Sequence, residues 1–237
     1  MGEAPIRQVA YIVVFLTCSA VYASCDSSPC SVAVRIGVED LRYRILSPSS
    51  EGDRVERGFY ELAALHNRCP LVQSPQTAEV CSELGEALRS FGFLRPEFSE
   101  VLEKISGCSL PPAHAKPTKQ PDVGQLILQT LEEQQESDGE AAYWVADDLL
   151  AFSLVYPEEV IATVLAHPSF RQRFIADLGG NAFEDLDDTP GSAHQVLHEK
   201  MRAFARVLQQ LPTARKDQPD RAKLMSELRT ACRCTTE

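Results

Sequence analysis

The stretch EAAYWVADDLLAFSLVY, from Glu140 to Tyr156, decides the fold. Its apolar residues do not keep to one stripe. At helical spacing Tyr143, Trp144, Val145, Leu149, Leu150, Phe152, Leu154 and Val155 occupy more than one face. A helix of that kind needs cover on several sides, so it is predicted to be the central buried helix of a helical fold. Its adjacent carboxylates, Asp147 and Asp148, should point apart, because neighbours on a helix do not face each other. Paired-carboxylate chemistry is not expected from them.

Working outward, the C-terminal half is helical throughout. Before the central helix, Val123, Leu126, Ile127 and Leu131 define an amphipathic helix. After it, Pro157-Glu158-Glu159 places proline at a first helical position and acids in the first turn, where the macrodipole favours them. His167-Pro168 ends that helix, and Phe170, Phe174, Ile175 and Leu178 form another, closed by Gly179-Gly180. The stretch Pro157 to Gly179 is similar to one helix pair of a HEAT-type repeat, but no second copy follows at a fixed period. Ser192 and Gln195 have capping-box spacing. Leu197, Met201, Phe204, Leu208 and Leu211 follow as a seam for a neighbouring helix in the same domain or for a second copy of the chain. Ala222 to Cys232 is the final helix.

The N-terminal half is less regular. Val32, Val34, Ile36 and Val38 alternate, which reads as a strand over Ser31 to Val38. Leu41, Tyr43 and Ile45 would form a second short strand or a helical turn. Arg54 to Asn67 and Thr77 to Phe91 follow as helices, and Pro96 opens a short one closed by Gly107. SLPPAHAKPTKQP, Ser109 to Pro121, carries four prolines and cannot be helical. The expected fold class is thus mainly α: a helical bundle or irregular helical array, with one or two short strands near the mature N-terminus. The expected organisation is a signal peptide over 1–23, a mostly helical cysteine-containing region over 24–108, a Pro-rich linker over 109–121 and a helical domain over 122–237.

Val9 to Ala23, VAYIVVFLTCSAVYA, is short for a membrane span and right for a signal-peptide core. Val21-Tyr22-Ala23 presents small residues where a signal peptidase reads, so cleavage is expected after Ala23. An uncleaved anchor is the plainer alternative. Tyr22-Ala23-Ser24-Cys25 also resembles a bacterial lipobox, which would make Cys25 a lipidation site, although Tyr22 stands where an aliphatic residue is usual. Either route makes the chain extracytoplasmic: periplasmic or secreted, or held at a membrane through Cys25.

Eight cysteines fit that compartment. Cys18 leaves with the signal. If Cys25 carries lipid, Cys30, Cys69, Cys81, Cys108, Cys232 and Cys234 remain as disulfide candidates and can form three bridges. A short Cys69–Cys81 clasp is the natural local pairing. Cys108 with Cys232 or Cys234 would staple the C-terminus to the middle of the chain, worth about 4 kcal/mol through loop closure. No C-x-x-C pair exists, so structural zinc and a redox dithiol are not favoured.

The net charge is −11 and the sequence pI near 5.0, which excludes a general nucleic-acid binder. The charge is unevenly laid out. Residues 121–188 hold 15 acids against Arg171 and Arg173 alone, whereas residues 189–237 hold 5 acids and 9 bases. Either the basic C-terminal helices fold back on the acidic ones, or an acidic face recruits a basic partner. Even complete internal pairing leaves an acidic surplus.

His194 and His198 form H-x-x-x-H on a helix, so both imidazoles could reach one metal ion, with Glu184, Asp185, Asp187 and Asp188 upstream as further ligands. Gln195 stands where a metalloprotease carries its catalytic glutamate. A packing or capping role for His194 is the plainer reading. The run at 183–188 does not fit an EF-hand loop. No nucleophile elbow, phosphate loop or dinucleotide fingerprint is present, and no cofactor is expected. The sequence therefore points first to an exported, disulfide-stabilised helical protein with a non-enzymatic binding role, engaging a protein partner through an acidic helical surface. The alternatives are a metal-dependent hydrolase or metal-binding protein using His194 and His198, and a structural envelope lipoprotein.

Overall fold

The computed structural model describes residues 28–46, 52–72, 103–104, 122–136, 139–181, 192–212 and 219–232. Eight α-helices are described: α1 (Pro29–Leu46), α2 (Gly52–Arg68), α3 (Val123–Glu136), α4 (Gly139–Val155), α5 (Pro157–Ala166), α6 (Arg171–Ala176), α7 (Ser192–Gln210) and α8 (Pro219–Ala231). A 3-10 turn (Pro168–Phe170) precedes α6 and a π-helical turn (Asp177–Asn181) follows it. No strand occurs among the described residues.

Helix α4 is the centre of the array, as its sequence requires. It packs against α1, α3, α5, α7 and the π turn. Leu149, Leu150, Ala151 and Phe152 are all buried. Phe59, Phe152, Phe174 and Phe204 are nearly inaccessible, and burying each contributes roughly 2–3 kcal/mol. Pro157 removes a backbone donor, and the chain bends by 118° between the apolar segments of α4 and α5. No single described helix is long and apolar enough to cross a membrane.

The expected strand over Ser31 to Val38 is a correction: those residues lie inside α1. Val32, Ala33, Val34, Ile36 and Val38 are all buried because α2 covers one side of α1 and α4 another. A helix buried on two sides shows apolar residues at both two- and four-residue spacing, so alternation alone misleads. The informative residues were the polar ones. Ser31, Arg35, Glu39 and Arg42 are partly or fully exposed and recur every three or four residues, a polar helical stripe whose Arg35 pairs with Glu199 of α7.

Helices α1 and α2 form an antiparallel hairpin. Its open end is closed by a disulfide between Cys30, in the first turn of α1, and Cys69, just beyond α2, with Cα atoms 5.6 Å apart. This corrects the expected Cys69–Cys81 clasp. The antiparallel topology brings two cysteines together that are 39 residues apart, which nearness in sequence does not reveal. Cys232 is buried and also disulfide-bonded, its partner lying outside the described residues. The expected signal peptide, Cys25, the remaining cysteines, the expected helix over Thr77 to Phe91 and the Pro-rich segment 109–121 lie outside them too. Helices on either side of that segment contribute to one hydrophobic core.

The seam of α7 is used within the chain: Phe204, Leu208 and Leu211 are buried, and Met201 packs against the core. The π turn meets α8 at Gly179, where a Cβ would collide with the Ala231 side chain and lie 3.0 Å from its backbone. Backbone cannot step aside as a flexible side chain can. Gly179→Ala is therefore expected to lower stability by about 2 kcal/mol. Thermal unfolding checks it; an unchanged midpoint would show that α8 shifts freely.

Candidate functional site

The most unusual chemistry lies where α1, α2 and α4 meet. Asp40, Arg44, Glu61 and Asp148 are all buried there. Helical spacing puts Asp40 and Arg44 on one face of α1, and Arg57 and Glu61 on one face of α2. Gly58 leaves room for the Arg44 stem, since a Cβ there would sit 3.1 Å from Arg44 Cδ.

Arg44 is the hub. Its Nε lies 2.6 Å from Asp40 Oδ2, and its Nη2 donates to Asp148 Oδ2 at 2.5 Å. Nη1 donates to the Arg54 carbonyl at 3.2 Å. Glu61 Oε2 is 2.9 Å from Nη2 but accepts no well-directed hydrogen bond. Glu61 Oε1 lies 3.3 Å from Arg57 Nε and 3.2 Å from the Thr130 hydroxyl of α3. The three carboxylates each bring one oxygen to within 4.8 Å of the others. Such a grouping suits a cation, and the cation present is the Arg44 guanidinium.

Burial sets the protonation of this cluster. It pushes Asp40 up to about 6, partly opposed by Arg44 and reinforced by Glu61. Burial and then the Asp40 charge push Asp148 well above the ordinary carboxylate range. The surrounding carboxylates hold Arg44 charged against its burial.

Beside the cluster, α2 and α3 enclose an open groove of about 560 Å³. Among the described residues, Asp53, Glu56, Glu132, Glu133 and Glu136 line it, with Arg54 and Arg57 as its basic residues. Both arginines engage Glu133: Arg54 Nη2 at 2.9 Å from Oε1, and Arg57 on Oε2. Tyr60 donates to Glu56 at 3.0 Å. Asp53, Glu132 and Glu136 are exposed. The groove therefore keeps a surplus of carboxylates after its internal pairs are made.

The acidic segment is covered from both directions. The C-terminal helices supply Lys200 to Asp147 at 2.6 Å and Arg221 to Glu158 at 2.6 and 2.7 Å. The N-terminal hairpin supplies Arg44, Arg54 and Arg57, which the charge layout alone did not foretell. Asp147 and Asp148 do point apart, one to Lys200 and the other to Arg44. The visible trace of the cluster was charged residues at four-residue spacing within otherwise buried helices: Asp40 with Arg44 and Arg57 with Glu61.

Of the sequence-derived metal pair, both residues belong to α7. His198 is half-buried, and the side chain of His194 lies outside the described residues, as do Glu184, Asp185, Asp187 and Asp188. Compared with protein-family models, curated proteins and solved structures, the chain matches none of them.

Proposed function

We propose that this is an exported, disulfide-stabilised helical binding protein, non-enzymatic, that engages a basic partner through the groove between α2 and α3. The observation carrying this reading is the carboxylate surplus along an open concave surface. Such a surface raises the local concentration of cationic ligands and steers their approach. The fixed helical walls favour an extended lysine- or arginine-rich segment laid along them. Export is supported by the Val9–Ala23 segment together with the bonded state of Cys30, Cys69 and Cys232.

The test is calorimetric titration with a lysine-rich peptide at low and at physiological salt. Glu132 and Glu136 are exposed, so Glu132→Gln with Glu136→Gln leaves the core intact. The double variant is expected to bind roughly tenfold more weakly, and the wild-type affinity to fall with salt. Affinity unaffected by both salt and substitution would end this reading.

A further inference from the structure

We infer that the buried junction of α1, α2 and α4 is a proton-operated clasp: with one proton bound it joins the three helices tightly, and with that proton lost it holds an uncompensated buried negative charge. The count of charges carries the argument. Helix α1 contributes Asp40 and Arg44, α2 contributes Arg54, Arg57 and Glu61, α3 contributes Glu133 and α4 contributes Asp148. Fully ionised, these are four carboxylates against three guanidiniums. Arginine does not give up its proton in proteins. Only a carboxyl group can therefore correct the imbalance, by taking one proton.

The geometry says where that proton resides. Glu133 borders the groove and pairs with Arg54 and Arg57, the second of which also lies 3.3 Å from Glu61. Asp40, Glu61 and Asp148 instead share Arg44 as their common partner, with oxygens inside 4.8 Å of one another and side chains no more than 5% exposed. Carboxylates this close and this dry do not all ionise freely. Three helices are pinned at this one point, so the proton's loss is felt by the whole α1–α2–α4 contact.

The direction of the pH effect follows. Asp40 binds its proton more tightly in the folded protein, near pH 6, than its ordinary value of 3.8 allows in the unfolded chain. Its contribution to stability is complete below that ordinary value and is lost as the pH rises through about 6. Asp148, also raised by burial, contributes a loss of the same sign. Two other groups facing the same helices titrate nearby. Glu39 of α1 is raised by burial, opposed by Lys200 of α7 and by Arg35 and Arg42 and reinforced by Asp147 of α4, and acts in the same direction. His66 of α2 is lowered by burial and acts in the opposite one. Asp148→Asn leaves both of these in place, so the difference between variant and wild type isolates the clasp.

The experiment is urea unfolding of the mature, disulfide-intact chain at about pH 5 and about pH 8, for wild type, Asp148→Asn and Asp40→Asn. The wild-type unfolding constant should rise about tenfold or more between the two conditions, and either substitution should cut that rise severalfold. A flat or falling wild-type response, or the full rise retained in both variants, overturns the proposal. If neither variant folds, carboxyl-carbon NMR of the wild type decides. One or more aspartates titrating above about pH 5 support the clasp, and every aspartate titrating near the ordinary value overturns it.

Discussion

Arg44→Met is expected to cost about 3–5 kcal/mol at neutral pH, enough to leave much of the protein unfolded. Methionine fills the apolar part of the site but removes the one cation shared by Asp40, Glu61 and Asp148. Three buried carboxylates would then face one another with only Arg57, beside Glu61, as a nearby cation, and the Arg54 carbonyl would lose its side-chain donor. The penalty is for stranding those groups, not the net worth of the ion pairs, which is far smaller after desolvation. Acid should relieve it, because the stranded carboxyls become neutral. Urea unfolding followed by helical circular dichroism checks both parts. A loss under about 1 kcal/mol, or no recovery in acid, would show that water reaches the cluster.

Replacing both Cys30 and Cys69 by serine should cost about 4 kcal/mol, from the 39-residue separation that the disulfide closes. Changing both avoids a free thiol that could capture another cysteine. This staple and the Arg44 cluster sit at opposite ends of the α1–α2 hairpin. Arg44 lies fourteen positions after Cys30 along α1, a rise of about 20 Å. Their effects should therefore add to within about 0.5 kcal/mol when combined in a background stable enough to measure. A loss below about 1 kcal/mol on removing the disulfide would mean that packing alone holds the hairpin.

The helical class was legible because helix periodicity is a local property. Glu140 to Tyr156, with apolar residues on several faces, could only be a buried helix, and Pro157 and Pro168 mark boundaries that the structure shows, whereas Gly179 lies inside the π turn instead of ending a helix. Where a helix is buried on two sides the same signal fails. The valines of α1 satisfied strand and helix spacing together, and only the polar stripe through Arg35 and Glu39 told them apart.

Long-range partners were not legible, for a physical reason. Periodicity fixes which face a residue occupies on its own helix and says nothing of which helix covers that face. By itself, then, the sequence determined α2 and the helices of the C-terminal half, the breaks at Pro157 and Pro168, the opposed directions of Asp147 and Asp148, and an excess of acid in one third of the chain. Tertiary structure alone decided that Cys30 meets Cys69, that arginines from the N-terminal hairpin enter the acidic half, and that Asp40, Glu61 and Asp148 converge on Arg44. Each of those contacts depends on the packing of helices far apart in the chain, whose side chains meet only once the core has formed.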